Sequence, residues 1–174
     1  MTITADESTT TTPEIAETAT KKTFIVFSGE LDRVLAAFVL ANAAAAMGDE
    51  VTMFFTFWGL NVLRKDHPPH PKKTLLQAMF GRMMPRGPEH LGLSHLNFAG
   101  AGPKLMKKAM RDAHVLPLQE LIDTAREQDV KFVACTMSMD VMGIKAEELV
   151  DGVEFAGAAT YLGEADEANV NLFI

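Results

Sequence analysis

The chain holds one cysteine, Cys135, and its neighbours decide what that thiol can do. It follows a short β-rich apolar run, Val130 to Ala134 (VKFVA), and stands just before a helical pattern that runs from Ser138 to Val150 in two pieces, broken at Gly143. A thiol attacks only as the thiolate. The start of a helix offers unpaired N–H groups and a partial positive charge, worth about 0.3–1 kcal/mol to an anion, and so favours the ionised form. Asp140, one turn on, opposes that effect. The chemistry this predicts is nucleophilic attack by a partly ionised thiol, open to water where the strand gives way to the helix. Thr136, Ser138 and the backbone N–H groups of residues 136–139 are the candidates for stabilising the anion. The same hydroxyls serve as helix caps, and Met137, Met139 and Met142 are expected to pack around the site. With a single thiol, an internal disulfide, a redox pair and a four-cysteine zinc site are excluded.

A plainer alternative stays open. Free cysteine is among the most buried residue types and often only fills space. On that reading the protein is a non-catalytic oligomeric binding or scaffold module with an inert buried cysteine. A third reading is a small-molecule site at the edge where Ser28-Gly29, Trp58-Gly59 and Cys135 meet. Ser28, Gly29, Trp58 and Gly59 are its candidate residues. The Ser28-Gly29 turn lacks both GxGxxG and GxxxxGK[ST], so nothing here specifies a nucleotide. The Gly100-Ala101-Gly102-Pro103 run reads as a flexible lead-in to a helix. No cofactor is expected.

All five histidines fall between residues 64 and 114, together with ten Lys and Arg against three acids, Asp66, Glu89 and Asp112. His67 and His70 straddle two prolines, but no third ligand has zinc-like spacing, and no metal site is expected. Lys104, Lys107, Lys108 and Arg111 share one helical face. That face is either solvated or a docking surface, for an acidic partner or as an arm over Cys135.

The elements that must position Cys135 follow from periodicity. Thr23 to Phe27 and Val51 to Phe57 read as buried strands flanking an alanine-rich helix from Leu31 to Met47 that Gly48 stops. Strand, helix, strand over about 35 residues makes a right-handed βαβ unit. His67-Pro68-Pro69-His70-Pro71 breaks the pattern. Short helices are expected over 73–84, with Leu75, Leu76, Met79, Phe80 and Met83 on one side, and over 104–111. The α/β alternation then resumes with a helix over 118–128 and a strand over 130–134. Beyond the two-piece helix come a strand over 153–156, a helix over 160–168 and a strand over 170–174. The predicted fold is an open, mainly parallel five-stranded α/β sheet with helices on both faces, flavodoxin-like, carrying a helical insertion. Residues 1–21 read as a disordered tail, 22–174 as a single α/β domain, and 64–114 as its basic insertion.

The chain has 174 residues, 48% of them apolar, and a net charge of −7. Such a composition supports a sizeable core and argues against disorder and against general nucleic-acid binding. The longest uncharged stretch, 15 residues between Arg33 and Asp49, is too short for a transmembrane segment. No secretory signal is visible. A cytoplasmic homo-oligomer is expected, because the alanine-rich helix and the apolar end Val170 to Ile174 exceed what a lone small domain hides.

Three segments carry a resemblance. ACTMSMDVMGIKAEELVDG (Ala134 to Gly152), FSGELDRVLAAFVLANAAAAMGDEVTMFFTFWGLNVLRK (Phe27 to Lys65) and VNLFI (Val170 to Ile174) resemble the DsrE/DsrF/DsrH-like superfamily, over roughly residues 22–174. The resemblance implies a flavodoxin-like fold, oligomers, and sulfur carried as a cysteine persulfide and exchanged with small thiol proteins of the TusA type. It points to Cys135 as the acceptor. Some relatives place an active cysteine near the second strand, where this chain (Phe55 to Lys65) has none. Relay between two of its own thiols is therefore closed to it.

Overall fold

A computed structural model describes residues 20–69, 71 and 73–174. The predicted tail falls outside the described residues up to residue 19. Its last position, Lys21, is already in the first strand. The strands are β1 (Lys21–Val26), β2 (Glu50–Phe55), β3 (Lys131–Cys135), β4 (Glu154–Ala156) and β5 (Val170–Phe173). The helices are α1 (Leu31–Ala46), α2 (Leu75–Met83), α3 (Ala101–Asp112), α4 (Leu118–Glu127), α5 (Thr136–Met142) and α6 (Ala158–Asp166). A 3-10 segment, Phe57–Leu63, follows β2 where the sequence suggests a helix start at Leu60.

The five strands are all parallel, in the order β4-β3-β2-β1-β5, with helices on both faces. Register sets what meets at the carboxyl edge. Val26 lies opposite Phe55, Phe55 opposite Ala134, and Cys135 opposite Ala156. The next residue along each strand puts Phe27, Thr56 and Cys135 in one row.

The alternation of side chains splits the sheet into two unlike faces. Phe24, Val26, Met53, Phe55, Phe132 and Ala134 point towards α1 and α4 and form the main core. Phe38 of α1 stands edge-on to Phe132, centroids 5.7 Å apart, and tilts against Phe55 at 6.1 Å. The other face is thin: Phe54, Val133 and Cys135 lie under Tyr161 of α6. The Tyr161 ring tilts against Phe54 at 4.8 Å, and its hydroxyl meets Thr23 Oγ1 at 3.1 Å, so its polar tip stays paired.

The alanine-rich helix keeps apolar residues on its outer side, which the lone domain does not hide. It buries Leu31, Val34, Ala37, Phe38, Ala41 and Ala44, an i, i+3, i+4 stripe, but leaves Val39, Leu40 and Met47 exposed. In α2, too, the apolar side predicted from the sequence faces outward: Leu75, Leu76, Met79, Phe80 and Met83 are exposed, while Gly81 is buried. Thr74 and Gln77 close a capping box at its start. The basic segment is clamped to the sheet domain at two points. Asp32 accepts from the N–H of Ser94 at 2.9 Å and from its hydroxyl. Buried Glu148 lies between buried Arg64, at 3.5 Å, and Lys73.

Candidate functional site

Cys135 ends β3 and is the residue from which α5 springs. Its parity with Val133 turns the thiol to the thin face of the sheet. There it joins Phe54, Val133 and Tyr161 and is only 2% exposed. This corrects the expectation of a thiol open to water. The strand position was read correctly, but the side chain points inward under α6 rather than out over the edge.

Polar groups act on the buried thiol. Burial pushes its pKa up. The Ser138 hydroxyl and N–H, the Thr56 hydroxyl and the Met137 N–H pull it down and prevail, so it lies below the ordinary thiol value. The two hydroxyls are themselves coupled, Thr56 Oγ1 to Ser138 Oγ at 2.7 Å, and both side chains are buried. A thiolate, or a persulfide anion one bond longer, is the species such a cradle favours.

The expected supporting residues divide. Ser138 reaches the thiol with both its hydroxyl and its N–H, and Met137 does so with its N–H alone. The Met137 side chain is half exposed. Met139 and Met142 pack into the main core, not around the thiol as expected. Thr136 is exposed, and its hydroxyl is directed at the Ala156 carbonyl at 3.5 Å. No side chain caps α5, so neither hydroxyl takes the capping role considered for it. Asp140 is exposed. Thr56 was missed. Parallel register puts it beside Cys135, and its parity with Phe54 turns it to the same face, but that deduction needs the strand order as well as the strands.

The edge residues form a separate feature. A cleft of about 440 Å³ is lined by Phe27, Ser28, Gly29, Glu30, Arg33, Trp58, Asn61 and Pro85. Ser28, Gly29 and Trp58 line it, and Cys135 does not. Gly59 lies beneath, where a Cβ would come 2.0 Å from the Val26 carbonyl, so only glycine lets the loop after β2 close onto β1.

The basic helix α3 does not lie over Cys135. It borders a hollow with the starts of α1 and α4, the helices of the opposite face. Lys107 pairs with Glu89 at 2.6 Å, while Lys104, Lys108 and Arg111 are exposed. His70 lies outside the described residues and His67 is exposed. Among the described residues no group of three His, Cys, Asp or Glu side chains converges as a metal site would require.

Among the described residues no helix is long and apolar enough to cross a membrane. Residues 19–173 match the model of the DsrE/DsrF/DrsH-like family. The chain is 51% identical over 160 residues to the uncharacterized protein YrkE of Bacillus subtilis, covering 92% of this chain and all of that protein. It is 37% identical over 158 residues to the sulfur carrier protein DsrE2 of Allochromatium vinosum, covering 88% of this chain and 98% of that one. Two solved structures share the fold at 14% identity and a TM-score of 0.50. One is the ychN protein of E. coli, covering 88% of this chain and 99% of its own, and the other is MTH1491 of Methanobacterium thermoautotrophicum, a protein of unknown function, covering 89% and 99%. The sequence matches over nearly the whole length, and the parallel sheet agrees with them: this chain belongs to the DsrE/DsrF/DrsH-like family.

Proposed function

We propose that this protein carries sulfane sulfur as a persulfide on Cys135 and passes it to a thiol of a partner protein. The observation that carries the reading is a lone thiol placed where β3 gives way to α5, beside the buried hydroxyl pair of Thr56 and Ser138. The 37% identical relative named a sulfur carrier supports it.

The chemistry needs no cofactor. In loading, the Cys135 thiolate attacks the outer sulfur of a donor persulfide, R–S–SH. A new S–S bond forms at Cys135, the donor's S–S bond breaks, and the donor leaves as a thiolate with its proton retained on the transferred sulfur or lost to water. In unloading, a partner thiolate attacks that outer sulfur and Cys135 leaves as thiolate. Neither step changes the total of oxidised and reduced sulfur. Ser138, Thr56 and the Met137 N–H hold the charge in both states.

Burial makes access the protein's control. The thin cover over the thiol, Tyr161 of α6 above all, is the layer that yields when a donor approaches. We place the protein in the cytoplasm as a homo-oligomer, with a TusA-like or other thiol protein as acceptor. The exposed apolar residues Val39, Leu40 and Met47 on α1 and Phe155, Leu162 and Phe173 beside the thin face support self-association.

Intact mass after exposure to polysulfide tests the reading. A gain of about 32 Da, one sulfur atom, is expected in the native protein and its absence in Cys135→Ala. The 2% exposure of Cys135 favours the second reading, an oligomeric binding module with an inert thiol. Alkylation of the native protein separates the two: a carrier's thiol reacts without denaturant, and an inert one does not.

A further inference from the structure

We propose that the hollow beside Arg64, Lys73 and Arg86 binds a compact tetrahedral oxyanion of the sulfate or phosphate class. The charges gathered there do not balance. Arg64 is 1% exposed, and its guanidinium lies 3.5 Å from Glu148 Oε2. The Lys73 side chain is 9% exposed and pairs with the other oxygen of the same carboxylate. Half-buried Arg86 joins them: its guanidinium and that of Arg64 donate to one carbonyl, Gly81, at 3.4 and 3.0 Å. A Cβ on Gly81 would stand 3.4 Å from Lys73 Nζ and 3.8 Å from Arg64 Nη2, so all three cations surround that one residue. Among the described residues, three cations against one carboxylate leave an excess of two positive charges. Charge taken out of water without a counter-charge is costly. Burial, and after it the charge of Arg86, push the Arg64 guanidinium below its ordinary pKa.

Acceptors within reach are already used. Both Glu148 oxygens are engaged, Oε1 by Lys73 and by the Lys145 N–H at 3.1 Å, Oε2 by Arg64. Arg64 still has a donor to spare: among the described residues its buried Nε meets no acceptor, and a guanidinium can only donate. Beside these groups lies a hollow of about 290 Å³, walled by Lys73, Arg86, Glu148, Pro68, Pro69 and Pro71. Proline has no N–H, so those three walls offer an anion no donor, and Lys73 and Arg86 must hold it. Glu148 opposes an anion, but the excess of two remains with its charge counted. A carboxylate brings a single charge and acceptors in one plane. A tetrahedral dianion brings both missing charges and aims acceptors at an ammonium and a guanidinium together. The site uses none of the residues around Cys135 and does not depend on the sulfur chemistry.

Equilibrium dialysis of the full chain against radiolabelled phosphate is the test. Saturable binding of a single phosphate per chain is expected, displaced by unlabelled phosphate and by sulfate, and not by chloride at equal ionic strength. Whichever of the two oxyanions displaces the label at lower concentration is the better fit to the hollow. Arg86→Gln, which removes the least buried of the three cations, should weaken binding by ~10-fold or more, and Arg86→Lys should restore part of it. Lys104→Gln takes a cation from the exposed face of α3 and should bind as the native protein does, as should Cys135→Ala. The competition with chloride uses native protein alone and decides the matter even where a variant fails to fold. No saturable binding, displacement by chloride as effective as by sulfate, undiminished binding in folded Arg86→Gln, or an equal loss in Lys104→Gln would each overturn the proposal.

Discussion

The two faces of the sheet differ in kind. One is sealed by α1 and α4 over interlocked aromatic rings, Phe38 against Phe55 and Phe132. The other has a few buried side chains under α6, with Phe155, Leu162 and Phe173 exposed around them. The thick face holds the fold together. The thin face holds the reactive atom, where a small movement is enough to uncover it. Stability and chemistry are thus assigned to opposite sides of the same strand β3, through Phe132 and Ala134 on one and Val133 and Cys135 on the other. Lightly covered regions open at lower free energy than core regions, so a site placed there is reached without global unfolding.

The largest expected effect is a loss that is complete on one side and absent on the other. Cys135→Ala removes all sulfur loading while leaving the melting temperature close to native, because a small buried group is exchanged for another near its size. Phe38→Ala does the reverse. It leaves a cavity beneath two rings and costs about 3–5 kcal/mol, measured by urea unfolding, while any molecules still folded load sulfur normally. If both substitutions damaged stability and loading alike, the division between the faces would be wrong.

Next in size is the clamp that ties the basic segment to the sheet. Arg64, Lys73 and Glu148 form a buried set in which one carboxylate serves two cations. Glu148→Ala leaves both cations without it and should cost about 3–5 kcal/mol. Burial pushes the Glu148 carboxyl up, but the hydrogen bond from Lys73, the Lys145 N–H and the charges of Lys73 and Arg64 hold it below the ordinary value. A depressed acid stabilises the fold above its unfolded pKa of about 4.3 and loses that contribution as pH falls through its folded pKa. Native protein should therefore lose stability steeply below about pH 4.3, and Glu148→Gln should flatten that limb. An unchanged acid limb in Glu148→Gln would mean the clamp is ornamental.

Much of this was legible from residue order alone, and the reasons are local. The central strands and the alanine-rich helix declare themselves because strands inside a parallel sheet read as near-continuous apolar runs, while β4 and β5 are exposed edge strands marked only by short β-rich runs. The position of Cys135 at a strand end follows from the same runs. Its burial does not. Which side of β3 it takes depends on the parity of the strand, and how well that side is covered depends on α6 and Tyr161, far away in the chain. Thr56 was illegible for a related reason: it joins the site through strand order and register, which no local pattern encodes. In α2 the periodicity correctly put Leu75, Met79 and Met83 on one side of a helix. Periodicity fixes a stripe, though, and is silent on whether the stripe turns in or out, and here it turns out.

A finer test concerns the donors around the thiol. Ser138→Ala removes the hydroxyl that acts both on Cys135 and on Thr56. The rate of alkylation rises with pH as the thiolate forms, and its midpoint in the native protein should lie below the ordinary thiol value of about 8.5. In Ser138→Ala the midpoint should move up, with Thr56→Val producing a smaller shift in the same direction. Because the folded pKa is the lower one, the contribution of this thiol to stability is complete only above about pH 8.5 and fades as pH falls through the folded value. A midpoint unmoved by Ser138→Ala would show that the hydroxyl packs beside the thiol without holding its charge.

The smallest effect in stability gives the sharpest view of the thin face. Tyr161→Phe removes one hydroxyl, whose partner Thr23 keeps a second hydrogen bond to Asn171. The cost should be about 0.5–1.5 kcal/mol, and the ring still covers Phe54 and Cys135. Alkylation of Cys135 in this variant should proceed at the native rate. Tyr161→Ala also removes the ring, and alkylation should then be several times faster at the same pH, since the thiol's hydrogen bonds to Ser138, Thr56 and Met137 do not involve Tyr161. The ratio of the two rates measures how far the aromatic cover, rather than thiol ionisation, limits access. Equal rates in the two variants would move the gate away from α6 and onto the start of α5.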